Sequence, residues 1–111
     1  MLRFCGFEIE LFVDEVLQRE GDEPAVCSAV DQGGQRWLIV EGAHRGSDIS
    51  WYCAPASRRA IDLVAAGRAA PGDAVMHSET GWVEVVRLVE GHSVPDRRVL
   101  CAQLAAELVA G

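Results

Sequence analysis

The strongest constraint on the fold is a succession of short apolar runs that are separated by glycine-bearing turns. Residues 25–30 form one such run, and the turn DQGGQ leads from it into the run RWLIVE at residues 36–41. A second turn, GAHRGSD, precedes a third apolar run at residues 49–53. Two apolar runs joined by a short turn that contains glycine are typical of a β-hairpin. The sequence therefore predicts an antiparallel meander of three consecutive strands.

Two further strands extend this meander at its ends. Residues 7–13 alternate apolar and acidic side chains, which is the period of a half-buried strand, and Phe12 breaks the alternation on the polar side. The segment WVEVVRL at residues 82–88 is rich in β-branched residues, and we expect Glu84 and Arg87 to point outward. The sheet should therefore contain four or five strands.

Helices are expected in two places. The first should begin at Pro55, since proline favours the first helical turn, and end at Gly67, which suits a C-terminal cap. A single helical turn is expected at residues 74–76. A second helix is expected over residues 95–111, where Leu100, Leu104 and Leu108 recur at every fourth position. The predicted fold class is α+β: a mostly antiparallel four- to five-stranded sheet with two helices on one face.

The length of the chain fits one domain. Its 111 residues are enough to bury a single core without disulfide or metal staples. No repeat, linker or low-complexity tract divides the sequence. We therefore expect a single α+β domain over residues 1–111, with the sheet meander, first helix and closing strand in residues 1–94 and the C-terminal helix in residues 95–111.

Net charge and cysteine usage restrict the partners and the location. The formal net charge is −7, which disfavours binding to nucleic acid or to an anionic membrane surface. Acidic residues interrupt the apolar N-terminus, so we expect no signal peptide. The four cysteines are scattered among apolar neighbours, as is usual for reduced thiols, and a cytoplasmic location is expected. They are Cys5, Cys27, Cys53 and Cys101.

The order of these segments resembles a family of small uncharacterised bacterial α+β domains. The resemblance rests on DQGGQRWLIV, WYCAP, a helix that ends in AAGR, the short segment GDAV and the closing strand WVEVVRL. It extends over about residues 7–88. It implies a strand meander followed by a helix and a closing strand, and it implies no function.

Cys53 and Arg59 have the Cys-x5-Arg spacing of a cysteine phosphatase at a strand-to-helix junction. Such a loop needs backbone N–H groups that converge on a phosphate, but Pro55 removes one donor and the intervening residues contain no glycine. Ala60 also replaces the usual hydroxyl residue. A buried structural thiol is therefore the preferred interpretation of Cys53. The alternative hypothesis is a phosphate-ester or thiol enzyme that uses Cys53 with Arg59.

Acidic residues are concentrated near the N-terminus. Eight lie between residues 8 and 31, where Arg19 is the single basic residue. If the first strand lies at an edge of the sheet, these charges protect that edge from aggregation or recognise a basic partner. The candidate binding residues on this acidic edge are Glu8, Glu10, Glu20, Asp22 and Glu23.

Two other surfaces could bind a partner. Arg58 and Arg59, in the first turn of the first helix, could dock an anion or an acidic partner. The stripe Leu100, Leu104 and Leu108 either covers the sheet or pairs with a partner helix or a second copy of the chain.

The sequence predicts no catalytic centre built from its histidines. His44, His77 and His92 are expected in solvated turns without metal-ligand spacing, so no metal and no cofactor are expected. The sequence favours a non-catalytic protein-binding or regulatory domain, of the inhibitor or immunity type, that occludes a basic partner surface. A homodimer is the alternative assembly.

Overall fold

The computed structural model describes residues 3–6, 9–21, 23–45, 48–76, 80–89 and 92–101. These residues form seven strands and two helices. In chain order the elements are β1 (Arg3–Gly6), β2 (Ile9–Glu20), β3 (Glu23–Asp31), β4 (Arg36–Arg45), β5 (Asp48–Pro55), α1 (Arg58–Ala65), α2 (Pro71–Met76), β6 (Trp82–Val89) and β7 (His92–Leu100). The predicted α+β class is confirmed.

All seven strands belong to one sheet in which each strand pairs antiparallel with the next along the chain. The predicted meander is therefore correct, and it holds seven strands because β1 and β7 extend the four or five that were expected. The first strand, β1, also contacts β7. The sheet must curl to bring its two ends together, as strand twist allows.

The C-terminal helix was predicted to begin at Pro95, and this is wrong. Residues 92–100 form β7, and only Cys101 of the described residues is helical beyond it. The leucine repeat begins at Leu100, so it gives no reason for residues 95–99 to be helical. Those residues are extended because they pair with β6. In the described part of the chain β7 pairs with β6 alone. An edge strand of this kind tolerates a proline such as Pro95, because one side of its backbone has no strand partner. Residues 102–111 lie outside the described residues.

The first helix begins three residues later than predicted. Pro55 is the last residue of β5 and stands opposite Trp37 on β4. The N-cap is Ser57, whose hydroxyl accepts a hydrogen bond from the backbone N–H of Ala60 at 3.1 Å. Serine is among the preferred N-cap residues, and here it sets the start of the helix. Gly67 has a φ of +73°, which fits the predicted C-terminal cap.

The second helix, α2, includes the single turn predicted at residues 74–76 and starts at Pro71. Both helices pack on the same side of the sheet, which we call the helix face. Neither helix has the length or the apolar character that a membrane span requires, within the part of the chain that the structure describes. The buried residues of the helix face are Val26, Leu38, Ala54, Ala56, Ile61, Val64, Val75, Val83 and Val85.

A second buried cluster lies on the opposite side of the sheet, which we call the inner face. Strand alternation explains the division: on β5, Ala54 faces the helices, whereas Trp51 and Cys53 face the other way. No described helix covers this side, so we attribute its burial to the curl of the sheet. The buried apolar residues of the inner face are Leu11, Cys27, Ala29, Trp37, Ile39, Trp51, Cys53 and Val86.

Candidate functional site

Acidic residues flank the turn between β2 and β3. Glu20 and Glu23 stand directly opposite each other in the pairing of these strands. Gly21, with a φ of +64°, begins the connecting turn, and Asp22 follows it outside the described residues. Like charges directly opposite each other destabilise a strand pair. We call Glu20, Asp22 and Glu23 the acidic hairpin tip.

The predicted acidic edge is only partly an edge. Residues 9–12 of β2 pair with β1, where Glu10 stands opposite Cys5, and Leu11 and Phe12 pair with β3 as well. The backbone N–H of Glu10 donates a hydrogen bond to Oε1 of Gln32 at 3.1 Å. Beyond residue 12, β2 pairs with β3 alone among the described residues, with three irregularities of register. Bulges of this kind protect an exposed edge from pairing with other chains. Glu8 lies outside the described residues.

Two acidic residues in the middle of β2 form ion pairs within the fold. Asp14 Oδ2 lies 3.2 Å from a guanidinium nitrogen of Arg36, and Glu15 Oε1 lies 3.7 Å from one of Arg58. Arg58 also pairs with Asp62 at 3.1 Å, one helical turn further on. Exposed pairs of this type contribute little stability, but they neutralise charge locally. Glu20, at the end of the same strand, takes part in none of these pairs.

The arginines predicted at the helix start are found there. Arg58 and Arg59 occupy the first turn of α1, and both are exposed. Because Arg58 is shared between Glu15 and Asp62, it is less available to an external anion than the sequence suggested.

Cys53 is fully buried on the inner face, with no exposed surface. Burial raises the pKa of its thiol strongly, and the negative charge of Glu84 raises it further. A reactive cysteine needs the opposite, a lowered pKa and access to solvent. The helix that carries Arg59 packs on the other side of the sheet. The two residues of the Cys-x5-Arg motif therefore do not converge on one loop.

An ion pair that the sequence did not reveal lies on the inner face. Glu84 on β6 is 6% exposed and is the single buried charged side chain among the residues whose burial the structure describes. Its Oε1 accepts hydrogen bonds from Nε and Nη2 of Arg98 on β7, at 3.0 and 2.6 Å. Burial raises the pKa of Glu84, and the hydrogen bond and positive charge of Arg98 oppose this rise.

The predicted outward orientation of Glu84 is wrong. The alternation was read correctly, since Val83 and Val85 face the helices and Glu84 does not. The opposite side of the sheet is nevertheless buried, which a period-two pattern cannot show. Its partner Arg98 was missed because residues 95–111 were interpreted as a helix, whereas Arg98 stands opposite Glu84 in the strand pairing. The prediction for Arg87 agrees with the structure, where this residue is exposed.

The leucine stripe is represented in the structure by Leu100 alone, because Leu104 and Leu108 lie outside the described residues. Leu100 stands opposite Trp82 at the end of the β6–β7 pair, and these residues are 40% and 43% exposed. The chain is fixed at this point by a hydrogen bond from the backbone N–H of Cys101 to the carbonyl of Gly81, at 2.9 Å.

The histidines do not lie where they were expected. His44 belongs to β4 and His92 to β7, so neither is in a turn, and His77 lies outside the described residues. Strand pairing extends these elements into the segments that were read as turns. Within the described ranges, no cluster of three or more His, Cys, Asp or Glu residues could hold a metal ion.

The fold defines a small α+β domain: a curled, seven-stranded antiparallel meander with two short helices on one face. No family model, curated protein or solved structure matches the chain. The resemblance to small bacterial domains therefore stays a prediction.

Proposed function

We propose that this chain is a non-catalytic protein-binding domain that uses its acidic hairpin tip to occlude a basic surface on a partner protein. The observation that supports this proposal is the direct opposition of Glu20 and Glu23 across the strand pair. Placing like charges there costs stability, and a basic partner would remove that cost on binding.

The distribution of ion pairs also favours the tip over the rest of β2. Asp14 and Glu15 are paired with arginines of the same chain, whereas Glu20 is exposed and forms no ion pair with any described residue. Glu20 and Gly21 are exposed at the end of β2, so a partner can reach them without rearrangement of the core. The charge of the tip would steer association, so binding should weaken as ionic strength rises.

The alternative enzyme hypothesis gains no support from the geometry. Cys53 is buried and Arg59 lies in a helix on the other face of the sheet. A nucleophile and its anion-binding residue must reach the same substrate. We therefore retain the binding hypothesis in preference to catalysis.

Neutralisation of the tip tests the proposal. The variant E20Q/E23Q removes two charges with little change in size, and D62N/D73N on the helices is a control that removes the same charge. Each protein would be used, at matched stability, to capture partners from a lysate of the source organism by cross-linking and mass spectrometry. Binding of each captured protein would then be measured with purified components at several salt concentrations.

We expect wild type and D62N/D73N to bind the same basic protein with a salt-dependent association rate, and E20Q/E23Q to bind it more slowly and with weaker salt dependence. Equal binding by E20Q/E23Q would contradict the role of the tip. Failure of wild type to bind any basic protein would contradict the proposed function itself.

A homodimer through the end of the β6–β7 pair is the second proposal, and it is favoured by the joint exposure of Trp82 and Leu100. Two adjacent large apolar side chains are a common element of protein interfaces. Sedimentation velocity of wild type and Trp82→Gln over a range of concentrations would test it. Self-association that the substitution abolishes is expected, and a wild-type monomer at all concentrations would refute it.

A further inference from the structure

The pairing of β6 with β7 contains one irregularity that divides β7 into two parts. On one side of it Glu84 stands opposite Arg98 and Val85 opposite Arg97, and on the other side Val86 stands opposite Pro95. Asp96 is therefore the extra residue of a β-bulge on β7. The two parts of the strand differ in register by one residue.

A competing register is available to this strand. If the pairing of Pro95 with Val86 continued without a bulge, Arg97 would stand opposite Glu84 and Val99 opposite Trp82. A slip of one residue moves every following side chain to the other face of the sheet. Two adjacent arginines make this slip unusually easy, because an arginine stands opposite Glu84 in either register.

We propose that the ion pair between Glu84 and Arg98 selects the bulged register of β7 and so fixes the position at which the chain leaves the sheet. Glu84 is almost completely buried and bonds Arg98 through two guanidinium nitrogens, at 3.0 and 2.6 Å. Both nitrogens donate to the same oxygen, Oε1, and these charge-assisted bonds hold the guanidinium group beside the carboxylate. This contact is satisfied only when residue 98 stands opposite residue 84.

The consequence of this selection is seen at the end of the strand. In the bulged register Leu100 stands opposite Trp82, and the backbone N–H of Cys101 bonds the carbonyl of Gly81. The Sγ of Cys101 also lies 3.8 Å from the carbonyl oxygen of Val75 on α2. A slipped strand would displace these contacts, so the register of β7 determines how its end meets α2.

Stability alone does not explain this ion pair. Burial raises the pKa of Glu84 in spite of Arg98, which means that the charged carboxylate is disfavoured in the folded protein. Glu84 is buried, whereas the Arg98 side chain is 47% exposed, so the carboxylate is the partner that loses its hydration in this pair. Specification of register is the best-attested role of ion pairs with buried charge. The placement of this pair beside a bulge in a strand at the end of the sheet fits that role.

Cross-strand backbone NOEs measured by NMR report the register directly. Wild type should connect residue 84 with 98 and residue 82 with 100. In R98L we expect a slip of one residue, with NOEs from 84 to 97 and from 82 to 99, because Arg97 then becomes the available partner of Glu84. The matched control R97L removes the competing arginine and should retain the wild-type pattern.

A wild-type NOE pattern in folded R98L would overturn the proposal, as would a slip in R97L. If R98L does not fold, the double variant E84L/R98L removes both charges and avoids an unpaired buried carboxylate. We expect that variant to show two sets of NOEs, one for each register. A single wild-type set in E84L/R98L would show that the bulge is fixed without the ion pair.

Discussion

Cys53 on β5 stands directly opposite Glu84 on β6, and both side chains are buried on the inner face of the sheet. The carboxylate opposes formation of a second negative charge beside it. Burial and this charge together raise the pKa of the Cys53 thiol, so the thiolate is scarce at any physiological pH. The residue that most resembled a nucleophile in the sequence thus belongs to the core.

This relationship predicts selective alkylation of the cysteines. In the folded protein at neutral pH, iodoacetamide should modify Cys101, which is partly exposed, well before Cys53. Cys27 should also be protected, because burial raises the pKa of its thiol, an effect that the charge of Arg19 partly offsets. Peptide mass spectrometry at successive times would measure the order. Labelling of Cys53 as fast as Cys101 without denaturant would revive the enzyme hypothesis.

A second prediction concerns the turn between β3 and β4, which one carboxylate organises. Asp31 Oδ1 accepts hydrogen bonds from the backbone N–H groups of Gly33 and Gln35 at 2.8 and 2.9 Å. Its Oδ2 accepts one from Nε1 of Trp37 at 3.0 Å. An asparagine can replace one of these oxygens but presents a donor at the other position. We therefore expect Asp31→Asn to lower the free energy of unfolding by about 1–3 kcal/mol at neutral pH.

The pH dependence of this effect has a definite sign. Partial burial alone would raise the pKa of Asp31, but the hydrogen bonds from Trp37 and from the turn backbone outweigh it and lower the pKa below 3.8. The stabilisation is therefore present above about pH 4 and is lost as the pH falls through the lower, folded-state pKa. Urea unfolding of wild type and Asp31→Asn should show a difference that shrinks in acid. A difference in unfolding free energy that grows in acid would contradict a lowered pKa for Asp31.

A third prediction rests on the contact between Gly42 of β4 and the Tyr52 ring on β5. A Cβ atom added at Gly42 would overlap the ring at Cε2. We expect Gly42→Ala to destabilise the protein by about 1–3 kcal/mol, because the ring must be displaced from its packed position. Gly72 is a matched control, since a Cβ there meets no atom within 4 Å.

Thermal or urea unfolding of the two alanine variants would measure the effect. Gly72→Ala in α2 should be neutral or stabilising by up to about 1 kcal/mol. In a Tyr52→Val background the cost of Gly42→Ala should fall, since the overlapping ring is absent. An unchanged cost in that background would mean that Gly42 is required for another reason.

Local sequence patterns correctly predicted the features that depend on only a few neighbouring residues. The glycine turn at residues 31–35 correctly predicted the hairpin of β3 and β4. Gly67 was likewise correctly predicted to cap the first helix, since its φ is +73°. These features depend on neighbours in sequence, so they can be read without knowledge of the tertiary structure.

Features that depend on the curl of the sheet could not be predicted in this way. Alternation assigned Glu84 to the face away from the helices, but only the approach of β1 to β7 makes that face an interior. The strand conformation around Pro95 likewise depends on pairing with β6 rather than on local propensity. The Glu84–Arg98 pair joins two segments whose register cannot be read from local sequence patterns.

The final prediction concerns the buried carboxylate at this position. Burial is the larger influence on Glu84 and raises its pKa above 4.5 in the folded state, despite the opposing effect of Arg98. The folded protein therefore binds this proton more tightly than the unfolded chain does. Glu84 lowers stability when the pH is above its folded-state pKa, and this penalty is relieved as the pH falls through that pKa towards about 4.5.

Comparison with Glu84→Gln isolates this contribution from those of the other carboxylates, since glutamine keeps the shape and an acceptor for Arg98 but does not titrate. In urea unfolding at a series of pH values, wild type should gain stability relative to Glu84→Gln as the solution is acidified from neutral pH. The change in relative stability with pH is opposite in sign to that expected for Asp31→Asn, so each variant is a control for the other. If wild type instead lost stability relative to Glu84→Gln in acid, Arg98 would stabilise the carboxylate by more than burial destabilises it.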